Sequence, residues 1–422
     1  MSACVATSVA PLAVAAPVPL ITQYPRQHRA DMPLHSAAAP QLAFLPTAKP
    51  LAPAPAKKNQ HPPQLSGDLP REAEMLQVAK RFSPVIYHRI AGTIEDHRLD
   101  FPTNFDFDGD WIGNNNWKNA SDPKFRLLSY VYYSVIESGH YYFLHYALYH
   151  PRDWSLVQKD YSDILNSIQQ KYKDILTGAV RKEVEFNHEN DFEGVLEIVD
   201  KNASRGPSLI AIETVAHDYM VRAVAPEAHR LIITSGKTRQ ELTLDNGHPV
   251  LYVESQKHGI HPWNGQIALQ DDPLVVLREG EPVEYSPHLG ATTTYGLLPI
   301  YRTFWQHALQ TREPNLTFGT ISDFADRFCS LPGARRPACV IGSIGGHFRG
   351  DIMRPNSAAA PWDWIDKDDP RLPRGSWFFD PLYVLKLHFG LFDIQDPYLY
   401  NPYVGIVDNP MSPPLPLSPA GR

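Results

Sequence analysis

Cysteine is scarce. Three occur in 422 residues, Cys4, Cys329 and Cys339, and no two form a CxxC pair. A zinc ribbon is thereby excluded. No apolar run is long enough to span a membrane. Basic residues are outnumbered, 39 Lys and Arg against 46 Asp and Glu, for a net charge of −7 and a pI near 6.2. That argues against a nucleic-acid partner, which needs a basic face, and against simple electrostatic capture by an anionic membrane. Catalytic signatures are missing as well. There is no G-x-S-x-G elbow and no HExxH, so neither an α/β-hydrolase nor the usual zinc-protease helix is supported. The glycine-rich GSIGGHFRGD, 342–351, lacks the Walker lysine and opens no helix, which argues against a nucleotide site.

Proline and aromatic residues are abundant: 40 Pro, 20 Tyr, 18 Phe and 8 Trp. The aromatics favour strands, and the prolines point to many loops. Residues 1–63 carry twelve prolines and a single acid, Asp31. Such a segment is expected to be disordered, as is the tail 410–422. The start, MSACVATSVAPLAVAAPVPL, resembles a weak secretory signal. Cys329 and Cys339 are spaced to close a short loop around LPGARRPA. A disulfide there would suit an oxidising compartment; two unpaired thiols are the other reading. The expected location is secreted or extracytoplasmic, with soluble cytoplasmic as the alternative.

Between these ends, 66–409 reads as one elaborated domain. A helix is predicted in SGDLPREAEMLQVAKRF and a strand in PVIYHRI. RLLSYVYYSVIE and HYYFLHYALYH form a hairpin about Ser138-Gly139. A helical insertion is predicted over 155–176. Strands follow at 193–200, 207–216 and 249–254, and from about 265 the pattern is irregular. The fold class is mainly β, a β-sandwich core with helical insertions, α+β overall.

HENDFEGVLEIV, 188–199, places His188, Asp191 and Glu193 ahead of an alternating apolar run. In a strand Asp191 and Glu193 share a face and Phe192 points away. Two carboxylates side by side repel unless one is protonated, water separates them, or a cation lies between them. Solvated charges at an exposed strand start are the plainer reading. Asp153 ends an earlier strand and is placed to join them. An imidazole with carboxylates suits Ca²⁺ or Mg²⁺ best, and Mn²⁺, Fe²⁺ or Zn²⁺ also fit. His258 and His261 follow a third strand and are candidate general acid/base residues if the site is hydrolytic.

These stretches resemble the necrosis-inducing, NLP-type toxins. Tyr149-His150-Pro151-Arg152-Asp153 is similar to their Y-x-P-K-D stretch. His188, Asp191, Phe192 and Glu193 stand at the first His, the Asp, the Trp and the Glu of their G-H-R-H-D-W-E heptad. The 252–262 segment is similar to the V-x-x-G-S-H-x-x-Y-P pattern of the vacuolar-protein-sorting-associated family at His258 and Pro262. Asn187, Glu189 and Asn190 depart from the heptad. The resemblance covers roughly 125–265. It implies a divalent cation held by Asp153, His188, Asp191 and Glu193, and a sugar or lipid headgroup as partner. A metal-dependent hydrolase and a purely structural cation are the alternatives.

Three further features are weaker. Asp106, Asp108 and Asp110 alternate as at the opening of a calcium loop, but Trp111 and Trp117 replace the EF-hand Gly and Glu. Arg349 is a candidate contact for an anionic group. Trp362 and Trp364 are candidates to stack on sugar rings, with Trp377 beside them; pinning of their own loop is the competing reading.

Overall fold

The computed structural model describes residues 71–90, 97–154, 188–217, 219–234, 239–263, 274–310, 315–324, 327–334, 341–350 and 358–407. The expected disordered ends and the helical insertion 155–176 lie outside them.

The strands are β1 (Val85–Arg89), β2 (Tyr130–Ser138), β3 (Tyr141–Asp153), β4 (His188–Asp200), β5 (Ser208–Ala216), β6 (Tyr219–Val224), β7 (Arg239–Glu241) and β8 (Leu244–Asp245). They continue as β9 (His248–Val253), β10 (Ile260–Pro262), β11 (Leu274–Glu279), β12 (Thr292–Pro299), β13 (Phe318–Asp323), β14 (Ser343–Phe348) and β15 (Tyr398–Tyr400). Helices are α1 (Glu72–Phe82), α2 (Asn116–Asn119), α3 (Phe304–Gln310), α4 (Ser376–Phe379) and α5 (Pro381–Phe389). The mainly β expectation holds.

One continuous sheet runs in the order β10-β9-β1-β11-β12-β2-β3-β4-β5-β6-β7, with β8 added on β9 and β15 on β2. It curls until β10 packs against β5 and β6. The curl encloses an inner core in which Leu144, Tyr146, Leu148, Val195 and Val199 meet Ile86, Val253, Ile260 and Leu277. Helix α1 seals this core with Met75, Val78, Ala79 and Phe82, a single stripe at helical spacing. Tyr146 donates its hydroxyl to the Ala79 carbonyl at 2.6 Å.

The other face of β2–β5 carries an outer core built with α3, the β13–β14 hairpin, α4 and α5. Strands covered on both sides are apolar on both sides, which is why β3 reads YYFLHYALY without a clean alternation. The hairpin between β2 and β3 is tied by Asp396, which accepts from the Ser138 hydroxyl and from His140 N.

In β4 the faces divide as the sequence predicts. Phe192 turns outward into a cage of Tyr132, Tyr149, Phe304, Phe348 and Trp364. Gly194 leaves room for that indole: a Cβ there would come within 2.7 Å of the Trp364 ring. Asp191 and Glu193 turn inward, to one end of the inner core.

Candidate metal centre

Antiparallel pairing of β3 with β4 sets Asp153 opposite His188 and His150 opposite Asp191. In a regular strand His188 and Asp191, three residues apart, face opposite sides. Asn190 removes the conflict. It adopts a left-handed conformation, φ 61°, which breaks the alternation. Its side chain is bound to Gly113 O, Arg349 O, Asn116 and Tyr149, so the kink is held from all sides. Donor atoms of Asp153, His188 and Asp191 then lie within 4.8 Å of one another. Glu193 belongs to no such group among the described residues, but its carboxylate senses the charges of Asp191 and Asp153.

Long-range contacts bring the predicted His258 together with residues the sequence did not announce. The β9–β10 loop supplies His258, whose Nδ1 bonds Asp191 at 2.7 Å and whose Nε2 bonds Asp100 at 3.0 Å. Strand β1 supplies His88, with Nε2 2.9 Å from His150 Nε2. The β5–β6 turn supplies His217. Its backbone N–H donates to Glu193 Oε1 at 2.8 Å, and its Nε2 lies 3.1 Å from Glu254. Lys257 pairs with Asp153. Six non-glycine residues have a left-handed backbone among the described residues, and four of them, Asn190, His217, Gln256 and His258, border this cluster. Strain of this kind is retained where the surrounding structure enforces it.

Charge in the cluster is uneven. Burial, with Asp191 alongside, pushes the Asp153 carboxyl up to about 6 against the pull of His188 and Lys257. Burial and the neighbouring Asp191 charge raise Glu193 well above the carboxylate range. Burial also opposes ionisation of Asp191, but His258, His188 and His217 outweigh it and hold its pKa below the usual value. His258 is buried too, yet its bonds to Asp100 and Asp191 lift it to about 9. Glu193 Oε2 and His188 Nδ1 are buried and have no hydrogen-bond partner. The mouth is open: the side chains of His188, Lys257, His261, Glu254 and His217 are 17, 27, 26, 36 and 43% exposed.

Several expectations need correction. His258, a candidate general acid/base, is fully buried and both of its ring nitrogens bond carboxylates. His261 stands at the mouth, its Nε2 2.9 Å from Glu254. Trp362 and Trp364 are buried, their Nε1–H groups donating to Gly345 O and to Phe192 O and Ala359 O. They pin the 358–364 segment to the sheet and offer no face to a sugar. Arg349 lies on the outer-core side, with Nη1 donating to Asn315 O at 3.1 Å. Asp106 and Asp108 bond Asn104 and Asn119, as a polar turn does. Cys329 is disulfide-bonded; its partner lies outside the described residues.

No family model and no curated protein matches the chain. Among solved structures, a protein described as a toxin fold for microbial attack and plant defense is similar at 15% identity and a TM-score of 0.26, over 54% of this chain and 75% of its own. NLPPya in complex with glucosamine is similar at 16% identity and TM-score 0.26, over 46% and 71%. The non-toxic HaNLP3 is similar at 14% and 0.26, over 47% and 73%. At these scores the likeness is one of distant fold and assigns no residue a role. Among the described residues no helix is long and apolar enough to cross a membrane.

Proposed function

We propose that Asp153, His188 and Asp191, with Glu193 behind them, hold a divalent cation and present it at the mouth to a sugar or lipid headgroup at a cell surface, as a necrosis-inducing-type protein would. The observation that carries this reading is the convergence of donor atoms of Asp153, His188 and Asp191 within 4.8 Å of one another, with His188 Nδ1 and, behind, Glu193 Oε2 buried without a hydrogen-bond partner. A buried polar atom without a partner costs about 1–3 kcal/mol, a cost that a bound cation would relieve. Three carboxylates and one imidazole suit Ca²⁺ or Mg²⁺, with Mn²⁺ next. When bound, such an ion supplies a Lewis-acidic centre for a ligand oxygen. Lys257 lies over Asp153 and would give way as the ion enters. The disulfide at Cys329 fits export.

Binding is favoured over turnover because His258 is unavailable and the two rim imidazoles, His217 and His261, are both held by Glu254. The hydrolytic reading keeps one supporting observation, the half-exposed His217 beside Glu193. The deciding experiment is metal content of the purified protein by mass spectrometry, beside an Asp191→Asn/Glu193→Gln variant. A stoichiometric ion lost in the variant supports the site, and glucosamine and mannosamine are then the first probes. No ion in the wild type, and no uptake of Ca²⁺, Mg²⁺ or Mn²⁺ on titration, removes it.

A further inference from the structure

Asp100 is not among the donor residues at the mouth, yet it reaches two of their carboxylates through one loop. It is fully buried, and its Oδ1 takes two bonds. The Gln256 N–H donates to it at 2.8 Å, and His258 Nε2 lies 3.0 Å from it. Both residues have a left-handed backbone, φ 67° and 53°, so the turn between them is tight. Asp100 pins both of its ends on one oxygen. The same loop is closed by Glu254 N–H on Gly259 O and tied to β3 by Trp154 N–H on Gln256 O, each at 3.1 Å. The turn carries two side chains forward. His258 Nδ1 bonds Asp191 Oδ2 at 2.7 Å, and Lys257 pairs with Asp153. The His258 ring has no freedom of its own. Asp100 and Asp191 hold its edge, and one face lies flat on His150, centroids 3.6 Å apart and planes 5° from parallel. Asp191 is held as firmly, with Oδ2 on the ring and Oδ1 accepting from the Phe192 N–H at 2.9 Å.

We propose that Asp100 is a positioning residue for the cation centre: by holding His258 it fixes the Asp191 carboxylate where it meets Asp153 and His188. This rests on the cation reading of the mouth and deepens it. Groups that orient a ligand from behind are worth about 10–100-fold in metal affinity. The role is geometric, and what it needs of residue 100 is an acceptor oxygen. An asparagine at that place keeps one, able to take both the Gln256 N–H and the His258 Nε2–H. An alanine keeps none. The ring then loses its far anchor, the turn loses the bond at Gln256, and Asp191 is free to swing off the ion. A water takes the place it leaves.

The test uses EuCl₃ on cation-stripped, full-length protein. Eu³⁺ is a hard stand-in for Ca²⁺, and its luminescence lifetime in H₂O and D₂O counts the waters on the bound ion. Asp100→Ala should add a water relative to wild type and weaken Eu³⁺ binding about 10–100-fold. Asp100→Asn should keep the wild-type water count. His258→Gln, whose amide reaches Asp100 but not Asp191, should behave as Asp100→Ala does. A residue that only stabilised the fold would lower the melting temperature and leave the water count of folded protein alone. Unchanged affinity and water count in Asp100→Ala overturn the positioning role and leave the cation reading standing. An extra water in Asp100→Asn overturns it too, since charge and not geometry would then be at work. Where Asp100→Ala fails to fold, a wild-type water count in His258→Gln overturns it. No Eu³⁺ bound by the wild type removes both readings.

Discussion

Two acid–histidine clusters sit on opposite faces of one sheet, and only one of them is built around a buried guanidinium. On the outer face Glu213, Asp366, Asp369 and His388 surround Arg222, all of them buried. The Arg222 guanidinium bonds Glu213 at 3.1 Å and also bonds Asp366, and His388 Nδ1 lies 3.0 Å from Glu213. Burial opposes a charged Glu213, yet His388 and Arg222 hold its pKa below the usual value. On the inner face Asp153, Asp191 and Glu193 meet His188 with no guanidinium among them, and Glu193 is pushed up. Three acids and an imidazole are thus compatible with either outcome. An arginine on the adjacent strand closes one cluster, whereas the other has the partly exposed Lys257 on Asp153 and the His258 ring on Asp191.

The largest effect expected is from breaking the closed cluster. Arg222→Met leaves Glu213 and Asp366 buried without their cation and should cost about 3–5 kcal/mol in urea denaturation, with or without added metal. A loss under about 1 kcal/mol would mean that the guanidinium is not what neutralises it.

Next comes added cation. At a Ca²⁺ concentration about one hundred times its dissociation constant, the wild type should gain about 2.7 kcal/mol. Asp153→Asn should gain little, and the calcium response of Arg222→Met should be preserved on its lower baseline. Equal responses in wild type and Asp153→Asn would place the ion elsewhere.

The two clusters should also answer pH in opposite directions. Glu193 has a raised folded pKa, so its contribution in cation-free protein falls as pH rises from its unfolded value of about 4.5 toward the folded one. Glu213 has a lowered folded pKa, so its contribution is present above about 4.5 and is lost as pH falls through the folded value. Glu193→Gln should therefore raise the melting temperature of cation-free protein near neutral pH and remove the decline toward higher pH. A parallel shift of the whole profile would contradict this.

The smallest effect concerns the rim. His261→Ala should cost roughly 0–1 kcal/mol, as partly exposed pairs do, while leaving metal stoichiometry unchanged. Loss of the ion in this variant would promote His261 to a ligand.

Local pattern made part of this legible. Helix α1 follows from its apolar stripe, and β2 and β3 from their aromatic runs about Ser138-Gly139. The inward pairing of Asp191 and Glu193 follows from strand alternation. Strands β11 and β12 were not legible. They pair in parallel with each other, and β12 pairs in parallel with β2, more than 150 residues earlier in the chain; TTTYGLLP also carries Gly and Pro. His88, Asp100 and His217 escaped for the same reason, since each reaches the cluster only when the sheet curls. Trp362 and Trp364 misled because a tryptophan in a polar loop looks the same from sequence whether it faces a sugar or the core.

Asn190 touches no candidate ion, yet it decides which way His188 points. A β-branched residue there could not hold the left-handed turn and would restore plain alternation, sending His188 to the outer face while every ligand stayed in the sequence. Ligand lists alone would then still report an intact centre. Divergence among chains of this kind can therefore gain or lose ion chemistry through a backbone residue, and the identity at this one position is a better guide to a working centre than a count of its acids and histidines.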